Sequence, residues 1–226
     1  MPVKLGVIRV ITSADQASTD LHGRQIEAAY PGVHTTSICL PGQPEGVHDL
    51  ATEGAAVAKV PDAARRLAVL GVDAIVVSCC ADPGVREAGD AVTVPVVGAG
   101  EAAALVSLVY RCPVGVLGLT REAPPVMRRI LGDRLVASIA PEGVTKTLDL
   151  QTPLAMDACE RAARRLMGQG AGVICLACTG TATIGLPRYL GERLNLPVVD
   201  PVIVAGGLVL ALVGQHRSAC GRGRFS

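Results

Sequence analysis

Short runs of Val, Ile and Leu alternate along the chain with longer stretches in which Ala, Leu and Arg recur every three or four residues. Apolar runs bounded by turn residues read as buried strands, and the three-to-four spacing reads as helices lying on them. The pattern predicts strands near 3–10, 34–40, 73–78, 95–98, 114–119, 135–140, 172–177 and 197–199. Helices are expected near 21–29, 52–70, 84–90, 101–110, 123–131, 153–169, 187–194 and 201–213. Such alternation marks βα units around parallel sheet, so the expected class is α/β. Residues 215–226, with two glycines and three arginines, read as a disordered tail.

The pattern also repeats. Leu5, Gly6, Val7, Ile8 and Thr12 are echoed by Val114, Gly115, Val116, Leu117 and Thr120. GVDAIVVSC, ending at Cys79, is echoed by GAGVICLAC, ending at Cys178, and the Val94–Gly98 run by Leu196–Asp200. Two like lobes related by an approximate two-fold axis are therefore expected, 1–98 with 201–214 in one and 99–200 in the other. Ligands of open α/β sheets gather at the carboxyl ends of the strands, where Thr12, Cys79, Thr120 and Cys178 all fall. A cleft between the lobes would carry a cysteine on each wall.

Composition narrows the chemistry. Half of the 226 residues are apolar, but there is no Trp, one Phe and three Tyr, so the core must be aliphatic. A formal charge of +1 without a basic run before the last dozen residues gives no footprint for nucleic acid or an acidic membrane. A small-molecule partner is expected. No signal peptide or membrane span is read, so the chain is placed in the cytoplasm, and its eight cysteines are expected to be mostly free thiols. The high apolar content also fits a homo-oligomer.

Two opposed thiols suit proton transfer at a stereocentre. One, as thiolate, removes the proton from one face while the other delivers a proton to the opposite face, and the roles swap with substrate handedness. Asp82 and Pro83 read as the cap and first residue of a helix after Cys79, and Asp200 and Pro201 repeat that start. Gly180 lets backbone amides approach a substrate anion, and Thr179 and Thr181 offer hydroxyls. Cys175 and Cys178 form a CxxC with no second ligand pair, which argues against zinc. His22 and His48 read as solvated, which leaves a cysteine hydrolase without its base.

The segments VVSCCADPGVREAGDAVTVPVVGAGE (76–101) and CTGTATIGLPRYLGERLNLPVVDP (178–201) resemble the aspartate/glutamate/hydantoin racemase superfamily, closest to its hydantoin racemase branch. The resemblance implies flavodoxin-like lobes around a cleft, and catalysis without pyridoxal phosphate or metal. It places the catalytic pair at Cys79 and Cys178, and substrate-holding positions at Arg9, Thr12, Cys80, Thr120, Thr179 and Gly180. The first loop departs from the hydantoin racemase pattern: Arg9 to Ser13 stands where that branch carries Asn and Pro. The expected activity is racemisation of an amino acid derivative, with a 5-substituted hydantoin as first choice. Aspartate or glutamate racemisation, decarboxylation or cis–trans isomerisation of a dicarboxylic acid, and ligand binding without turnover are the alternatives.

Overall fold

The computed structural model describes residues 2–221. All eight expected strands form, each within a residue or two of its expected bounds. The first half runs β1 (Val3–Arg9), α1 (Gln16–Ala29), β2 (Val33–Cys39), α2 (Leu50–Val57), α3 (Val60–Val69), β3 (Ala74–Ser78), α4 (Val85–Ala91) and β4 (Val96–Gly98). The second runs α5 (Ala99–Val109), β5 (Val114–Leu117), α6 (Pro125–Leu131), β6 (Leu135–Ile139), α7 (Ala155–Gly168), β7 (Val173–Leu176), α8 (Gly180–Thr183), α9 (Leu186–Leu194), β8 (Val198–Val199) and α10 (Pro201–Gly221). Each half builds a four-stranded parallel sheet, ordered β2-β1-β3-β4 and β6-β5-β7-β8, so the repeat read in the sequence reappears as the same strand order twice.

Alternation along the strands decides which core each residue joins. In β3, Val76 faces a core shared by the two sheets, while Ile75 and Val77 face Ala64 and Leu67 of α3. The shared core joins Leu5, Val7 and Val97 to Val114, Val116, Val173 and Val199 across α5 and α10. On the far side of the second sheet, α7 buries Ala155, Ala158, Cys159, Ala162, Ala163 and Leu166, the stripe expected of 3.6-residue spacing, against Ile174 and Leu176. The chain crosses over between halves: α5 follows β4 but also packs on β7 and α6, and α10 follows β8 but returns to β3, β4 and α1.

Three helix expectations change. The single helix expected over 52–70 is two, because Pro61 in the first turn of α3 cannot continue a helix from Val57. Helix α1 starts at Gln16 and not at 21, since the Asp15 carboxylate accepts the Ala17 and Ser18 amides. Helix α10 runs on to Gly221, so the tail expected to be disordered from 215 is helical as far as 221. Nothing between 214 and 220 breaks a helix already nucleated by its packed turns. Residues 222–226 lie outside the described residues. No helix among the described residues is long and apolar enough to cross a membrane.

Candidate active site

A cavity of about 380 Å³ lies where the carboxyl ends of β1 and β3 face those of β5 and β7. In each sheet these are the two strands flanking the point where strand order reverses, the usual ligand position in such folds. One wall carries Arg9, Val10 and Ile11 after β1, and Ser78, Cys79, Cys80 and Ala81 after β3. The opposite wall carries Gly118, Leu119 and Thr120 after β5, and Ala177, Cys178, Thr179 and Gly180 after β7. Both cysteines singled out by the repeat therefore line one space from opposite sides.

The two thiols differ in surroundings. Cys79 is partly exposed to the cavity, and burial of its sulfur pushes the thiol up to about 12 against one amide donor, that of Ala81. Cys178 is also pushed up by burial, but the amides of Gly180 and Thr181 and the hydroxyl of Thr147 all favour its thiolate. Of the two, the Cys178 thiolate therefore has the more hydrogen-bond donors. The Thr147 hydroxyl arrives in the 3-10 turn Thr147–Gln151, whose flank is tied to the first half by the Lys146–Glu45 ion pair.

The other expected site residues divide. Cys80 lines the cavity but is 2 % exposed, with its sulfur 3.8 Å from the Leu176 carbonyl, and burial holds its thiol well above the ordinary value. Thr179 lines the cavity and donates to the Ser78 carbonyl at 3.1 Å, joining the two strand ends. Thr120 lines it with its hydroxyl turned to the Glu122 carbonyl. Arg9 lines it too, although one guanidinium nitrogen is spent on the Ser18 carbonyl at 2.6 Å. Thr12 does not reach the cavity: it donates to the Leu40 carbonyl and accepts the Gln43 amide, fixing the loop after β2.

Two sequence readings are corrected here. Asp82 does not cap the helix after Pro83, since α4 starts at Val85 behind left-handed Gly84. At φ 53° its carboxylate instead accepts the Gly100 and Glu101 amides at 2.8 and 2.6 Å, so it caps α5 and anchors the cysteine turn there. Burial pushes this carboxyl up to about 7. Gly98 and Gly100 are small for this contact: a Cβ on Gly98 would lie 2.2 Å from Asp82 Cγ, and one on Gly100 2.1 Å from the Cys80 carbonyl oxygen. Gly100→Ala should therefore displace the Cys79–Asp82 turn, lowering stability by about 1–3 kcal/mol in thermal unfolding. The Asp200 cap, by contrast, forms as read, with its carboxylate 2.8 Å from the Val202 amide.

The histidines are the second correction. His22 is 1 % exposed and His48 is half-buried in the cavity wall with Nδ1 unpartnered, neither being the solvated residue expected. Glu53, Leu50 and Val47 share that wall, and Glu122, paired with Arg128 at 2.9 Å, stands across from them. Val47, His48 and Glu122 sit on loops with no apolar period to reveal them, and Leu50 and Glu53 sit on the first turn of α2, whose sequence shows no apolar face toward the cavity. Asp200, capping and outside the wall, plays no part in it.

The sequence profile of the Asp/Glu/Hydantoin racemase family matches residues 6–208. The hydantoin racemase of Paenarthrobacter aurescens is 29 % identical over 153 residues, a stretch covering 62 % of this chain and 61 % of that protein. Allantoin racemase from Klebsiella pneumoniae superposes with a TM-score of 0.81 at 27 % identity, covering 95 % of this chain and 89 % of that one. Allantoin racemase from Pseudomonas fluorescens gives 0.79 at 26 %, covering 95 % and 92 %. Since the profile spans nearly the whole chain and the two-sheet fold matches along its length, the chain belongs to the Asp/Glu/Hydantoin racemase family.

Proposed function

We propose that this protein is a cofactor-independent racemase that uses Cys79 and Cys178 as paired thiols on a five-membered cyclic ureide, a 5-substituted hydantoin being the best fit. The observation that carries the reading is the placement of two repeat-related cysteines on opposite walls of one cavity. The Cys178 thiolate removes the proton on the stereocentre, the electron pair passes into the adjacent carbonyl as an enolate, and the Cys79 thiol delivers its proton to the other face. The second enantiomer runs the same path backwards. After each turnover the two sulfurs have exchanged protonation states, and proton transfer to solvent resets them.

The lining argues for the substrate class. Val10, Ile11, Val47, Leu50, Leu119, Ala123, Pro124 and Pro125 make much of the wall apolar. Its carboxylates, Asp49, Glu53 and Glu122, outnumber any free cation: Arg128 is paired with Glu122, and Arg9 is partly spent on the main chain. A dicarboxylic amino acid would need more cationic donors than the remaining guanidinium nitrogens of Arg9 supply, whereas a neutral ring with an apolar substituent does not. The hydantoin and allantoin racemases named above act, by their names, on molecules sharing that ring.

The test is turnover of single enantiomers of 5-substituted hydantoins, allantoin, aspartate and glutamate in heavy water. Loss of optical rotation with deuterium entering at the stereocentre is expected for the cyclic ureides. Turnover confined to aspartate or glutamate would overturn the substrate class, and binding of ureides without exchange would overturn the activity.

A further inference from the structure

His22 belongs to none of the roles above, yet it sits between both cysteine loops. It lies on α1, 1 % exposed, with Nδ1 2.8 Å from Ser78 Oγ and Nε2 3.1 Å from Thr183 Oγ1. Ser78 ends β3 and immediately precedes Cys79. Thr183 ends α8, whose first amide, that of Gly180, faces the Cys178 sulfur. One rigid ring thus spans from one cysteine's strand end to the other cysteine's helix.

Two further bonds tie the same pieces: the Gln25 amide donates to the Ala182 carbonyl at 2.8 Å, and Thr179 donates to the Ser78 carbonyl. An aliphatic residue at 22 would fill the space but leave the buried Ser78 hydroxyl and the half-buried Thr183 hydroxyl without this partner. Burial, and then the nearby Arg9 cation, drive the imidazole well below its usual range. The ring is therefore neutral, one nitrogen donating and the other accepting, a demand that hydroxyls satisfy in either sense.

We propose that His22 is a positioning residue that fixes the separation of the two cysteine-bearing loops, an inference that rests on the two-thiol reading above. Two thiols serve one carbon only if both stand at reacting distance on opposite faces. A misplacement of about 1 Å can cost about 10²-fold in rate.

The test uses His22→Asn, which keeps a polar group near the Nδ1 position, and His22→Gln, which keeps one near Nε2. Thr183→Val cuts the same bridge from the other half without altering the cavity wall. Each should lower kcat about tenfold to 10²-fold in both directions of racemisation, with KM close to that of the parent protein and the variants still folded at the assay temperature, although the broken bond lowers their unfolding midpoint somewhat. Parent-like kcat in all three, a loss confined to KM, or a loss that disappears when the variants are assayed at equal distance below their unfolding midpoints would overturn the proposal. Cys79→Ser and Cys178→Ser belong in the same assay. If they racemise normally, the two-thiol reading itself fails; if they are inactive while the bridge variants are fully active, only the role of His22 falls.

Discussion

Cys79→Ser and Cys178→Ser should each reduce racemisation by about 10²–10⁴-fold, the share ordinarily carried by a placed acid or base. The two losses should not look alike. With one thiol left, a proton can be taken and returned only on that thiol's face, so each variant should wash deuterium into one enantiomer with retention of configuration. The two variants should prefer opposite enantiomers. Proton NMR of single enantiomers in heavy water reads both quantities, and racemisation at the parent rate by either variant would dismiss the paired-thiol mechanism.

The second large effect expected is on pH. Burial pushes both thiols up, Cys79 to about 12, so near neutrality only a small fraction of molecules should hold the thiolate that the proposed mechanism needs. Raising the pH populates it, and kcat/KM should climb about tenfold per pH unit while that fraction stays small. With Cys79 as the proposed acid partner, the fall that would follow loss of its proton lies at high pH, because burial pushes that thiol up to about 12. The Thr147 hydroxyl favours the Cys178 thiolate, so Thr147→Val should move the climb to higher pH. A profile flat from pH 6 to 8 would count against a rate-carrying thiolate.

Much of this architecture is legible in the order of residues alone. Most of the strands are short apolar runs rich in Val and Ile, as buried parallel sheets require, with the edge strand β2 (VHTTSIC) the more polar exception, and the pair Cys79 and Cys178 stands out of eight cysteines because the repeat places both at equivalent strand ends. What stays hidden depends on contacts distant in sequence. Asp82 before Pro83 has the local grammar of a helix cap, and only the space cleared at Gly98 and Gly100 turns it toward α5. Thr147 sits in a stretch without periodicity, brought to Cys178 by the fold of its loop. His22 reads like any polar residue on an amphipathic helix, because nothing local shows that its face of α1 meets α8. Thr12 misleads in the opposite sense: its repeat partner Thr120 does line the cavity, but the loop after β2 claims its hydroxyl.

The return of α10 to β3, β4 and α1 has a consequence for how the chain is made. A growing chain folds as its amino-terminal units emerge. Here all four strands of the first sheet are synthesised before Pro201, the residue that opens the helix meant to cover them. Until then Ile26, Val76 and Val97 lack Val202, Ala205 and Val209, with which they share a core. The first half therefore leaves the ribosome with an apolar face uncovered, and the yield of folded protein depends on its final helix more than that helix's distance from the chemistry would indicate.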